Sequence, residues 1–376
     1  MATHDRPGSE SRKMDMRKTN ILCLYGCLTA CRLRDAVLNR LAFKPPLRVG
    51  YALDENGNFL LDAKLWSSQA VSSALASHGL EVSHRYVHTK RKRRLSSILL
   101  QSMKDRRTSQ PSEGRNNNNR MLVIFSHGNS TDIGYMFPAY VNLCRTHKID
   151  IFAYDYSGYG LSDGDVGEKH LYSDIEYIYN YVRNELRVKP ENIVLYGNSL
   201  GSAPSSYLAS MPDRFPIGGL ILDAPLASAI RLQVGHLKRT PRFDAFANIE
   251  FLKTKELYPT LILHGTSDGI IPIEHARNLA FVVEIRHAEL MQKEGQKITN
   301  PVESSDSYPE HCLGSPKQSG IELHKQPEDY LRTWWVPGAG HNNIQFDNTE
   351  AYNRTIDTFF KLCETWRINN KVRLEG

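Results

Sequence analysis

"NIVLYGNSLGS", residues 192–202, runs from an apolar stretch into a glycine–serine–glycine turn. The pattern is G-x-S-x-G, with Gly197, Ser199 and Gly201 in the defining places. A strand before it and a helix after it are the context in which this pattern presents a nucleophile. The sharp bend forces the serine into a strained backbone conformation, and only small residues fit two places to either side. The hydroxyl is then lifted above the sheet at a helix N-terminus, where negative charge is favoured. A small-residue turn that merely contains a serine is the competing reading, and the strand-to-helix context argues against it.

Working outward, apolar runs alternate with amphipathic ones. "MLVIFSHGN", "DIFAYDYSGYG", "NIVLYG", "GGLILDAP", "TLILHGTSD" and "LRTWWVPGAG" read as strands. Helices are expected near 134–147, within 168–188, from Ser199, and near 348–367. Strands that are apolar throughout and alternate with helices imply a mostly parallel central sheet covered on both faces. "HRYVHTK" and "LSSILLQS" read as two antiparallel strands joined by the basic turn "KRKRR", residues 90–94. Residues 103–119 and 284–328 are long polar stretches, expected to be surface insertions, and the second of them could gate the site.

A serine hydroxyl needs a base and an acid that orients the base. In chain order the acid and the histidine follow the serine. Asp268 ends the strand "TLILHGTSD", and His341 follows "WWVPGAG". Both are expected at the same sheet edge as Ser199. Asp223 is the rival acid; His264 and His287 are rival histidines. The second oxyanion donor is expected from the early loop "SHGN", where the Asn129 amide joins the Leu200 amide. His127 reads as a structural hydrogen-bonder. No metal-ligand constellation and no glycine-rich phosphate loop stand out, so neither a metal nor a cofactor is expected.

The chain has 376 residues, a net charge of +6 and six cysteines. Residues 1–50 hold ten Lys/Arg against four Asp/Glu, and residues 86–120 ten against two, so the remainder is acidic. A basic fringe on an acidic body suits a polyanionic partner. No nucleic-acid recognition motif accompanies it, and an anionic membrane surface fits better beside the apolar patch "ILCLYGCLTAC". No apolar run reaches the roughly 20 residues needed to span a bilayer. Cys23, Cys27 and Cys31 in that patch fall four apart, on one side of a helix. A small buried helix with cysteine as core filler, a signal-peptide core and a lipid-bearing segment all remain open on these residues alone. Residues 1–20 read as a disordered basic tail, 21–50 as a cysteine-bearing anchor and linker, and 51–376 as the folded domain.

Several segments together resemble the α/β-hydrolase domain-containing protein 17 family. They are "LAFKPP", "FSHGNSTDIGYM", "YDYSGYGLSDG", "PENIVLYGNSLGS", "DAPLASAIR", "FDAFANIEFL", "LILHGTSD" and "VPGAGHNNI". The likeness runs through most of residues 40–282 and resumes around 330–367. It implies the α/β-hydrolase fold, and the roughly 36 residues after Asp223 leave no room for a large lid domain. It further implies a membrane-bound serine hydrolase at the cytoplasmic face, plasma membrane or endosomal. Such an enzyme removes palmitate from cysteine thioesters of membrane-associated proteins, with Ser199, Asp268 and His341 as nucleophile, acid and base. By the same resemblance Cys23, Cys27 and Cys31 are acylation sites, although this cluster is sparser in cysteine than the family's. The stretch 284–328 is an insertion relative to the family. A lipid or small-ester hydrolase with the same triad is the alternative, and a non-catalytic membrane scaffold a further one.

Overall fold

The computed structural model describes residues 34–64, 75–90, 92–102, 120–293 except 236, 238, 255 and 257, and 330–375, together with Cys23, Gly26, Cys27 and Ser73. The expectations for 1–20, 103–119, Cys31 and 294–328 lie outside the described residues.

Every residue of the run 122–126 is buried, as are the strand residues Ile151, Phe152, Ala153, Val194, Leu195, Leu220, Ile221, Leu261 and Ile262. Such strands are stable only with both faces covered. Each forms part of one eight-stranded sheet in the order β10-β9-β8-β7-β5-β6-β4-β3. The strands are β3 (Leu80–His88), β4 (Arg94–Ser102), β5 (Leu122–Ser126), β6 (Asp150–Tyr154), β7 (Ile193–Asn198), β8 (Gly219–Asp223), β9 (Thr260–Gly265) and β10 (Leu331–Val336). From β6 to β10 all neighbours are parallel, whereas β4 pairs antiparallel with both β3 and β6. A separate hairpin, β1 (Tyr51–Leu53) and β2 (Phe59–Leu61), precedes the sheet.

The period-two alternation along the strands divides the core in two. Ile124, Phe152, Leu195, Leu222 and Ile262 face α3 (Glu168–Asn184), α4 (Ser202–Ala209) and α7 (Glu274–Lys293). Val123, Phe125, Ile151, Tyr196 and Leu263 face α2 (Ile133–His147) and α8 (Thr349–Glu375). Between β8 and β9 the described helices are short: α5 (Ala229–Val234) and α6 (Asn248–Phe251). The chain turns from β5 to β6 on one side and reaches β7 on the other, so a crevice opens beyond the carboxyl ends of β5 and β7. Parallel sheets place ligands at such a switch point.

Three boundaries differ from the sequence reading. A 3-10 turn, Ser199–Gly201, precedes α4, because the bend at the serine is too tight for α-helical spacing to begin there. Residues 284–293 are not excursion but the continuation of α7. Residues 34–50 do not form a free linker. Helix α1 (Arg34–Ala42) docks on the domain through buried Leu38, and Phe43 packs edge-on against Phe246 at 5.7 Å. Arg34 donates to the Phe243 and Asp244 carbonyls at 3.0 and 2.8 Å and to Glu168 at 2.9 Å. A single guanidinium thereby ties α1 to the β8–β9 connection and to the start of α3.

Truncating Leu38 to Ala removes a buried anchor from this docking. Leu38→Ala is expected to lower the unfolding free energy by about 2–4 kcal/mol in urea titrations, whereas Leu47→Ala, fully exposed, is expected to leave it unchanged.

Candidate active site

Ser199 adopts φ 51°, a left-handed conformation uncommon for a side-chain-bearing residue. The two glycines make the bend possible. A methyl group on Gly201 would lie 2.0 Å from the Ser126 carbonyl oxygen, and one on Gly197 would lie 2.5 Å from the Gly201 oxygen. The start of α4 therefore rests directly on the end of β5. Ser202 Oγ closes the turn by donating to the Ser199 carbonyl at 2.6 Å, and Asn248 Nδ2 donates to Ser202 Oγ at 3.0 Å.

The structure brings Ser199, Asp268 and His341 together across 142 residues of sequence. His341 Nε2 lies 2.8 Å from Ser199 Oγ, and His341 Nδ1 lies 2.6 Å from Asp268 Oδ2. A carboxylate only accepts, so Nδ1 carries the proton and Nε2 faces the hydroxyl as an acceptor. The other oxygen, Asp268 Oδ1, accepts the Ile270 and Ile271 N–H groups at 2.8 and 2.9 Å. Burial works against the charge on Asp268. The donors from His264, His341 and the two backbone amides outweigh it and hold the carboxyl well below the usual range.

The loop after β5 lies against the bend. A methyl group on Gly128 would sit 2.9 Å from Asn198 Oδ1 and 3.7 Å from Ser199 Cβ. The peptide between Gly128 and Asn129 is gripped from both sides. Buried His127 donates from Nδ1 to the Gly128 carbonyl at 2.7 Å. The Asn129 side chain accepts from the Tyr159 hydroxyl and the Lys44 N–H at 2.6 and 2.9 Å, and donates to the Ala42 carbonyl at 2.6 Å. The Asn129 and Leu200 amides thus belong to two turns in contact at the crevice. His127 is a structural hydrogen-bonder through Nδ1, while its Nε2 makes no hydrogen bond and lies 3.2 Å from buried Asp155 Oδ1.

None of the rivals takes the place of a triad member. Asp223 accepts from the Tyr196 hydroxyl at 2.9 Å, and Tyr196 meets the Tyr352 hydroxyl at 2.9 Å. Burial pushes the Asp223 carboxyl up to about 6. His287 packs its ring 5.0 Å from Tyr330. His264, weighed as a base, lies instead beneath the acid, with Nε2 3.1 Å from Asp268 Oδ2. The signal for it was the four-residue spacing in "HGTSD". The grip on Asn129 by residues 42–44 had no local signal. Cys23 and Cys27 are exposed, and Cys144 and Cys363 are buried. Among the described residues no group of side chains is arranged to hold a metal, and no helix is long and apolar enough to cross a membrane.

An eight-stranded, mostly parallel sheet with a strained serine after β7 and its histidine and aspartate after β10 and β9 defines an α/β-hydrolase. Comparison with known proteins agrees. A family described as serine aminopeptidase, S33 (Hydrolase_4) matches residues 117–249. Among curated relatives, the α/β-hydrolase domain-containing protein 17C of Xenopus tropicalis is 36% identical over 60% of this chain and 57% of its own length. The mouse 17C protein is 41% identical over 60% of this chain and 56% of its own. The Caenorhabditis elegans protein aho-3 is 28% identical over 91% of this chain and 82% of its own. The match to the two 17C proteins thus spans little more than half of their length. A solved Pyrococcus furiosus esterase, Pf2001, shares the fold at TM-score 0.52 and 14% identity, covering 85% of this chain and 97% of its own. The resemblance to the α/β-hydrolase domain-containing protein 17 family therefore holds in direct comparison.

The two carboxylates respond oppositely to pH and substitution. Asp268 is depressed, so its contribution to stability is present above the ordinary carboxyl range and is lost as pH falls from there through its depressed folded-state value. Asp223 is raised, so the native state takes up a proton near pH 6 that the unfolded chain binds only near 4. Asp223→Asn is expected to raise the unfolding free energy at pH 7 by up to about 3 kcal/mol, a gain that fades toward pH 4. Asp268→Asn is expected to stay folded and to lose activity about 10⁴-fold, as comparable triads do. Denaturant titrations across pH and turnover of a soluble ester check both.

Proposed function

We propose that the protein is a serine hydrolase that removes palmitate or a similar long acyl chain from cysteine thioesters of membrane-associated proteins. The observation that carries the hydrolase part is the unbroken chain Ser199 Oγ, His341, Asp268 at 2.8 and 2.6 Å. His341 Nε2 takes the Ser199 proton as Oγ attacks the thioester carbonyl. The new C–O bond forms a tetrahedral intermediate whose oxygen carries the negative charge. The Leu200 and Asn129 amides are the donors for that oxygen, and two such fixed donors lower the barrier by a few kcal/mol each in comparable sites. The C–S bond then breaks, the thiolate receives the proton from His341, and an acyl-serine remains. Water, deprotonated by His341, attacks that ester, and collapse returns Ser199 and releases the fatty acid. Asp268 stays charged throughout and holds the imidazole in the productive tautomer.

The acyl-thioester substrate and the membrane setting rest on the resemblance, supported by three features of this chain. Cys23 and Cys27 stand exposed ahead of α1, in keeping with acylation there and at Cys31. Arg17, Lys18 and Arg32 flank these cysteines in sequence, and paired lipid and basic signals hold a protein firmly at an anionic leaflet. The short helices α5 and α6 leave the crevice without a large cover among the described residues. On this reading the partners are S-acylated proteins and the cytoplasmic membrane surface.

A fluorophosphonate probe is expected to label the wild type and to spare Ser199→Ala. Given side by side, a palmitoylated peptide is expected to be cleaved in preference to a monoacylglycerol; the reverse preference would make the protein a lipid hydrolase. Replacing Cys23, Cys27 and Cys31 by Ser is expected to move the protein to the soluble fraction while it still hydrolyses a small soluble thioester. A triple variant that remains on membranes would locate the anchor elsewhere.

A further inference from the structure

His264 sits on β9 with its side chain fully buried, four residues before Asp268. Its Nε2 lies 2.8 Å from the Ile271 carbonyl oxygen and 3.1 Å from Asp268 Oδ2. Both neighbours only accept, so the proton resides on Nε2 and is shared between them. Nδ1 is then a bare acceptor, and it is buried with no hydrogen-bond partner. A strand position of this kind is ordinarily filled by an apolar residue, and a buried polar atom left unsatisfied calls for a reason. The reason lies on the other side of the ring.

The Ile271 peptide region is held at both ends, its N–H by Asp268 Oδ1 and its carbonyl by His264. Asp268 is thereby met by three hydrogen-bond donors, two backbone amides on Oδ1 and His341 Nδ1–H on Oδ2, with the His264 imidazole a further 3.1 Å neighbour of Oδ2. The backbone pair fixes where the carboxylate sits. The second imidazole stands against the same oxygen that His341 meets, so Oδ2 lies between two imidazoles.

We propose that His264 is a positioning residue for the acid: its Nε2–H locks the Asp268 carboxylate and the turn 268–271 so that Oδ2 meets His341 in line. This rests on the serine-hydrolase reading above. His264 touches neither substrate nor Ser199, so its removal acts on turnover and not on substrate binding.

The test compares two variants of the full chain. His264→Gln places an amide N–H near the site of Nε2, and His264→Leu fills the volume without a donor. With a soluble thioester substrate, His264→Leu is expected to lower kcat about 10- to 100-fold, the range known for partners that orient metal-ligating histidines and carboxylates, with KM little changed. His264→Gln is expected to retain most of the activity. In protein labelled with nitrogen-15 histidine, the low-field His341 Nδ1–H resonance is expected in the wild type and in His264→Gln, and to broaden or vanish in His264→Leu. Wild-type kcat in His264→Leu overturns the proposal. So does an equal loss in both variants with the His341 resonance intact in both. If His264→Leu does not fold, His264→Asn, whose shorter amide withdraws the donor from Oδ2, takes its place with the same expectations. Failure of the wild type itself to react with a fluorophosphonate would instead defeat the hydrolase reading. The His341 resonance still decides in that case whether His264 orients Asp268: kept in His264→Leu it overturns the positioning role, lost it upholds it.

Discussion

The contact between Gly201 and the carbonyl of Ser126 governs the geometry of this molecule. Two turns, one after β5 and one after β7, meet with no side chain between them. Adding even a methyl group would drive it to 2.0 Å from a backbone oxygen that cannot move without disturbing the sheet. Because the turns touch, the strained serine and the peptide between Gly128 and Asn129 share one small space. The parallel pairing of β5 with β7, in register from Leu122 with Ile193 to Ser126 with Gly197, holds that meeting point in place.

Around it, the polar groups are buried in chains that each end on a backbone group of the site. Asp155 accepts from Ile133 N–H and the Tyr51 hydroxyl and faces His127, whose ring in turn holds the Gly128 carbonyl. On the other side of the crevice Asp268 is surrounded by donors from its own turn and from two histidines. Asp223, at the end of the adjacent strand β8, has only hydroxyl and amide hydrogen-bond partners, so burial dominates and its proton is held more tightly. One carboxylate is kept charged and the other is driven toward neutrality by the balance of burial against the donors around each.

The N-terminal segment joins this architecture from outside the sheet. Arg34 reaches the β8–β9 connection and Glu168, and residues 42 and 44 clasp the Asn129 side chain. The stretch that leads from the exposed cysteines into the domain thus ends on the loop that borders the crevice.

Much of this was legible in the sequence for a local reason. Fully apolar strands, glycines two places either side of Ser199, and "GTSD" and "GAGH" after late strands are short-range patterns, and each is set by steric or hydrophobic demands on a few adjacent residues. The sheet, the antiparallel β3 and β4, and the meeting of Ser199, Asp268 and His341 followed from them. Other features were decided only by tertiary structure. His264 reads as a rival base until the turn 268–271 folds back over it and places it under the acid. Residues 34–50 read as a linker because the acceptors for Arg34 lie more than 130 residues away in sequence. Asp223 ends a strand and Asp268 follows one, and what separates them is how deeply each is buried and how many N–H donors each meets in the folded chain. Local sequence carries periodicity and turn chemistry, whereas donors and acceptors brought together over such distances leave no periodic trace.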